Sequence, residues 1–426
     1  MTRHVFALIA LSGALLAPGT TSAAQQVPIS FHAWVSAADF DSGAYAGTAA
    51  VAVANPDGTT AGPGGVALAS TGASTVTYHD AQYGDISAVA GTWTSPVYRP
   101  GLAFTELVAS WNADTPSGTW IQVELRGVTD KGASTKWYVM GRWAYGDDTI
   151  HRTSVGGQGD ANGFVSIDTF FAKDHPLTQY QLRATLYRKA STTVSPRLRL
   201  IGAVASDAPN QKPSIPSALG GAEGLVLNVP PYSQEIHAGQ YPQYDGGGEA
   251  WCSPTSTSMV LAYWHALPPA SDWSWVDPSY ADPWVDQTAR SVFDYHYDGA
   301  GNWPFNTAYA GGRGLDAFVT QIRGLNEAEQ FIKAGIPLVA SVAANPNKLT
   351  GFLLDKGTNG HLLVIVGFTQ SGDVVVNDPA ALSDSTVQRV YNRAEFERAW
   401  LPATGGIVYV LRPPGVALPP ASGGNW

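Results

Sequence analysis

The chain has 426 residues and a formal net charge of −10, with only 14% of its residues charged. Such a length suits two or three domains, and the acidic balance excludes a nucleic-acid partner, which needs a basic surface. The single cysteine excludes an internal disulfide.

Arg3, the apolar run 5–17 and the small residues 20–24 have the three-part layout of a secretory signal peptide, so residues 1–24 are expected to be removed near Ala24 or Gln25. No later run is apolar and long enough to span a bilayer, which points to a secreted, extracellular product with no membrane span. Outside the cell an unpaired thiol is open to oxidation, and keeping one there suggests a use for it.

Residues 25–205 form the first expected domain. Stretches such as TVTYHD, TWIQVELRGV, GFVSIDTFF, YQLRATLYR and RLRLIGAV are short and rich in β-branched or aromatic residues, with turn clusters between them. In 119–125 the side chains of Trp120, Gln122 and Glu124 should face one way, and those of Ile121, Val123 and Leu125 the other. Nine or more strands without an intervening helix predict an all-β, jelly-roll-like sandwich. Its many Trp and Tyr fit a core better than a sugar-binding platform. Asp147, Asp148 and Asp160 fit turn caps better than calcium ligands.

From 206 to 224 the pattern collapses into Pro, Gly, Ser and Ala, as in a linker. The second domain, 225–412, opens with LVLNVPPYSQ, which reads as a strand ending at Gln234. Its stretch 268–314 looks irregular apart from a helix at 285–295. Residues 327–334 read as a helix, 337–342 as a buried strand and 413–426 as a flexible tail.

Cys252 lies where a helix begins, in WCSPTSTSMVLAYW, with Pro254 expected at the first helical position. Unpaired N–H groups and the helix dipole favour a negative charge there, and a thiolate is one. A thiol nucleophile needs an imidazole to share its proton and a carboxylate or amide to orient that ring. NGHLLVIVGFTQSGDVVVNDP supplies both: His361 begins one strand and Asp378 ends the next. With a four-residue loop at 369–372, Phe368 would pair with Asp373, and Asp378 would lie across from Leu363, two residues from His361 and on the same face. His296, flanked by Asp294 and Asp298, is a weaker candidate for holding a metal.

LNVPPYSQ, WCSPTSTSMVLAYW, NGHLLVIVGF and VVVNDPA together resemble secreted relatives of cysteine peptidase family 39, the bacteriocin-processing type. The resemblance implies a papain-like α+β cysteine peptidase domain after the sandwich, with Cys252 as nucleophile, His361 as general base and acid, and Asp378 orienting the ring. It also implies that Gln234 donates to the oxyanion beside the backbone N–H of Cys252. The sequence departs from bacteriocin-processing members in having Ser253 where they carry glycine, and Gln234 lies farther upstream than their glutamine. A peptide or protein substrate follows, with no cofactor and no metal. Two alternatives remain: an amidase or isopeptidase acting on cell-wall peptides, and a non-catalytic protein that binds a wall or polysaccharide surface through its N-terminal domain.

Overall fold

The computed structural model describes residues 27–52, 64–208, 213–345, 347–421 and 423–426. The expected signal peptide, and residues 209–212 of the expected linker, lie outside the described residues.

Alternation of apolar and polar side chains makes the N-terminal part a two-sheet β structure. Its elements are β1 (Ile29–Trp34), a short helix α1 (Ala37–Asp41), β2 (Ala44–Ala46), β3 (Thr48–Val51), β4 (Gly65–Leu68), β5 (Ser74–Asp80), β6 (Gly84–Thr94), β7 (Glu106–Asp114), β8 (Thr119–Thr129), β9 (Tyr138–Trp143), β10 (Gly163–Ser166), β11 (Thr169–Ala172), β12 (Leu177–Lys189) and β13 (Arg197–Ser206). One seven-stranded sheet runs β10-β11-β7-β13-β4-β3, with β1 added on β13; a six-stranded sheet runs β2-β6-β12-β8-β9, with β5 added on β6. In β8, Ile121, Val123 and Leu125 point into the shared core, as their alternation requires. Trp120 points to the opposite face and is still buried, because Tyr187 stacks on it at 5.2 Å and Tyr78 meets it edge-on. GFVSIDTFF is a hairpin and not one strand: β10 and β11 pair around a two-residue loop, Ile167 and Asp168.

The second part is one six-stranded antiparallel sheet with helices on both faces, one face packing against α2 to α4 and the other against α5 and α6. Helices α2 (Cys252–Tyr263), α3 (Pro283–Val292) and α4 (Trp303–Gly312) precede β14 (Asp316–Gln321), α5 (Leu325–Lys333), β15 (Leu338–Val342), β16 (His361–Phe368), β17 (Val374–Asn377), β18 (Gln388–Tyr391), α6 (Arg393–Thr404) and β19 (Ile407–Arg412). Sheet order is β14-β19-β15-β16-β17-β18. The helix expected at 285–295 is α3, the stretch otherwise read as irregular also holds α4, and LVLNVPPYSQ makes only an isolated bridge, Val226 to Gly367.

One continuous core joins both parts, and Phe305 of α4 sits against Trp111 and Trp143 of the sandwich. Edge strand β14 has unpaired backbone groups facing β7, and β7 satisfies them with side chains. Asn112 donates to the Ala317 carbonyl (2.8 Å) and accepts from the Ala317 N–H (3.0 Å), while Ser110 accepts from the Val319 N–H (2.9 Å). Covering an edge this way removes a site for unwanted strand pairing. Gly311 of α4 allows the approach, since a Cβ there would lie 2.6 Å from the Asn112 amide.

Two segments read as loose are packed. Residues 213–224 are strapped to the second part: Glu397 accepts from the Ser217 N–H, and Glu329 accepts from the N–H groups of Gly220 and Ala222. Of residues 413–426, expected to be a flexible tail, 423–426 return to the core. Asn425 is fully buried, with its amide donating to the Gln321 carbonyl and to Glu327; Trp426 packs on Phe331, and the Gly424 carbonyl accepts from the Phe31 N–H. Side chain to backbone bonds hold this segment, and such bonds leave no hydrophobic period in the sequence.

Because one core spans both parts, urea unfolding followed by fluorescence and by circular dichroism is expected to give one coincident transition. Asn112→Leu should lower stability by about 1–3 kcal/mol for each Ala317 group left unpaired. Two separate transitions in the wild type would contradict the fused core.

Candidate active site

Cys252 is the first residue of α2, so its N–H has no acceptor within the helix. Pro254 falls at the third helical position, where a missing N–H still costs no intrahelical bond. The helix is buried nearly all round from Ser253 to Leu261, and not on one face as its Met, Val, Tyr and Trp suggest. Small hydroxyl residues make this possible. Ser253 bonds the Tyr409 hydroxyl (3.0 Å), Thr257 donates to Asn306 (3.1 Å), and Ser258 donates to Thr288 (3.0 Å). Ser256, one turn beyond Cys252, donates to the Leu362 carbonyl (3.1 Å), which pins the Cys252 end of α2 to the strand that begins with His361.

The β16–β17 hairpin brings His361 and Asp378 together. Phe368 pairs with Val374, one residue later than expected, but an irregularity between Ile365 and Gly367 recovers the shift, so Val364 pairs with Asn377. The next position therefore sets Leu363 across from Asp378. His361 Nε2 lies 2.7 Å from Asp378 Oδ1, and both side chains are almost completely buried. Asp378 also accepts from the Tyr391 hydroxyl (2.8 Å) and the Ala380 N–H (3.1 Å). Phe352 meets the imidazole edge-on at 5.8 Å.

With Nε2 engaged, the other ring nitrogen, Nδ1, is the one left to share a proton with sulfur. Burial alone would lower the His361 pKa, but the Asp378 carboxylate, by charge and by hydrogen bond, together with Cys252, pushes it up to about 10. Burial likewise works against ionised Asp378. The His361 charge and the bonds from His361, Tyr391 and Ala380 outweigh it and hold the carboxyl below its usual range.

Gln234 reaches the same place along the 377–384 turn: its N–H donates to the Pro379 carbonyl (2.8 Å), and Asn377 donates to the Val229 carbonyl (3.0 Å). Gly248 permits the close fit, because a Cβ there would lie 2.3 Å from the His237 backbone and 2.5 Å from the Gln234 carbonyl. The Gln234 amide donates to the Glu249 carbonyl (2.7 Å) and to Glu235 (3.1 Å). Cys252, His361 and Gln234 all line one cleft of about 620 Å³, to whose lining Ile167 and Phe171 of the first part also belong.

Sequence reading missed Tyr391, whose only signal is that β18 pairs with β17 beside Asp378. Of the candidate metal ligands around His296, Asp294 has other work. Asp294 accepts from the N–H groups of Ser154, His296 and Tyr297 and from the Asn302 amide, as in a side-chain-stabilised turn.

A thiol at a helix start, beside an imidazole fixed by a buried carboxylate, is an arrangement suited to acyl transfer. Residues 226–408 match the model of the Peptidase_C39 like family, and residues 30–206 match the peptidase C39 N-terminal domain. The second part is thus similar to C39-like peptidases and the first part to their N-terminal domain, and a peptidase hydrolase is what the similarity implies. Among solved structures, it is similar to a Bacillus anthracis protein described as a C39-like peptidase, with 18% identity, over 44% of this chain and 98% of that one, at a TM-score of 0.27. It is also similar to TmCBM61, solved with β-1,4-galactotriose (9% identity, 38% and 89% covered, TM-score 0.21). A further similarity is to the C-terminal family 22 carbohydrate-binding module of a Clostridium thermocellum xylanase (12%, 42% and 94%, 0.20). No curated protein matches it significantly.

Raised in the fold, His361 adds stability that is complete below the unfolded imidazole value of about 6.5 and is lost as pH rises through about 10. The lowered Asp378 adds stability that is present above the usual carboxylate range and is lost as pH falls through its folded value. The gap in unfolding free energy between wild type and His361→Gln should therefore be widest near pH 5–6.5 and narrow steadily towards pH 10; a gap flat with pH would contradict the pair. Tyr391→Phe, which removes one donor to a buried charge, should cost about 1.5–3 kcal/mol in chemical denaturation.

Proposed function

We propose that the protein is a secreted, papain-like thiol hydrolase that cleaves peptide bonds through Cys252, His361 and Asp378, with a covalent acyl-enzyme on the way. The observation that carries this reading is the buried 2.7 Å contact between His361 Nε2 and Asp378, which leaves Nδ1 to serve a thiol at the head of α2. A nucleophile helix lying against an antiparallel sheet that bears the histidine and the carboxylate supports the papain-like assignment.

In the proposed cycle the Cys252 thiolate, paired with protonated His361, attacks the amide carbonyl and pushes its electron pair onto oxygen. The tetrahedral centre collapses, the C–N bond breaks, and His361 gives its proton to the leaving amine. Water, losing a proton to the same nitrogen, then attacks the thioester and returns the thiol. Asp378 stays ionised throughout and holds the ring in place, as an orienting carboxylate does in related triads. The backbone N–H of Cys252 is one donor to the oxyanion. Gln234 is the other, once its Nε2 turns from Glu235 towards the cleft.

Hydrolysis of a denatured protein substrate, followed by mass spectrometry of the fragments, tests the reading. Cys252→Ala should abolish cleavage while leaving the unfolding transition in place. Gln234→Ala should lower kcat by about 10²–10³ if its amide serves the oxyanion. Undiminished cleavage by Cys252→Ala would remove the assignment.

A further inference from the structure

The cleft that holds Cys252 and His361 is not built by the second part alone. The β10–β11 hairpin of the sandwich supplies Ser166, Ile167, Asp168, Thr169 and Phe171 to its lining. At the hairpin tip, Ile167 has a φ of +58°, in the left-handed region. It occupies the first of the two loop positions, where a turn of this kind normally takes glycine. A β-branched residue held there is a genuine outlier, and such strain persists only where the surroundings fix it.

The neighbouring residue does the fixing. Asp168 is buried, and its Oδ2 accepts from the Trp303 N–H (2.8 Å) at the start of α4, while Oδ1 accepts from the Thr169 hydroxyl (3.0 Å). The hairpin tip is thereby docked on the second part, with Ile167 left at the cleft. On the same side, Tyr297 is held by the turn around Asp294, which the sandwich anchors through the Ser154 N–H. Tyr297 lines the same cleft as Asp168 and Cys252, so hairpin tip, ring and thiol border one space.

We propose that Ile167 is a specificity-determining residue of this cleft: with Trp303 and Tyr297 it forms an apolar subsite, built jointly by both parts, for a bulky apolar or aromatic side chain of a peptide substrate. This rests on the peptide-hydrolase reading for the identity of the substrate, but the subsite itself can be tested without chemistry. Rings and branched chains that line one cleft select a side chain by contact area, and the loss of such a contact is worth about 10–200-fold in discrimination.

Ile167→Gly is a clean variant, because glycine adopts the positive φ without strain and the fold should be at least as stable. The inactive Cys252→Ala protein, with and without Ile167→Gly, is titrated with a set of short peptides in which one Phe at a time is changed to Ala. At one position the Phe peptide should bind at least about tenfold tighter than its Ala counterpart, and Ile167→Gly should remove most of that preference. Ile167→Asn, which also tolerates the left-handed region, should lose it as well. No preference at any position, or a preference untouched by both variants, would overturn the proposal. Preference in binding with no cleavage by protein carrying Cys252 would strike the hydrolase reading and leave the subsite standing.

Discussion

The burial of the Asp378 carboxylate is the constraint on which the site depends. A charge removed from water is very costly unless it is paired and hydrogen-bonded, and here His361, Tyr391 and the Ala380 N–H supply partners. Those partners also determine what the site can do. Since Asp378 takes Nε2, the imidazole has one free nitrogen, facing the cleft that Cys252 shares, and its preference for the protonated form follows from the same pairing. The pair therefore ties stability to chemistry: what keeps the strand ends together also readies the ring.

From composition the sandwich reads as a module joined to the second part by a linker. Its role here is closer to that of a scaffold. It covers edge strand β14 through Asn112 and Ser110, shares one core with the helices, and contributes a hairpin to the lining of the cleft. The rings expected to mark a core do so, with Trp93, Trp111, Trp120 and Trp143 fully buried. Arg152 adds to the junction, donating from inside the sandwich to the carbonyl of Arg290 on α3.

What could be read from the sequence divides along physical lines. Strand β16 is visible as an unbroken apolar run, and α2 as a run opened by Cys-Ser-Pro, because local pattern specifies both. The register that sets Val364 across from Asn377 follows from the sequence reading although the loop length was one residue off, since a bulge near Val366 compensates; periodicity carries no record of bulges. The Ile167 turn was invisible because turn prediction looks for glycine or asparagine, and here tertiary contacts impose the turn on a β-branched residue. Tyr391 and residues 413–426 were missed for a related reason: their partners are distant in sequence, and hydrogen bonding, not hydrophobic alternation, holds them.

The central claim is that His361, oriented by Asp378, activates the Cys252 thiol. The rate of Cys252 alkylation by iodoacetamide, measured from pH 5 to 9 in the wild type and in His361→Ala, tests it most directly. The account predicts that at pH 6 the wild-type protein reacts faster than a free cysteine peptide and that His361→Ala loses this excess. Equal rates in the two proteins across the range would contradict it.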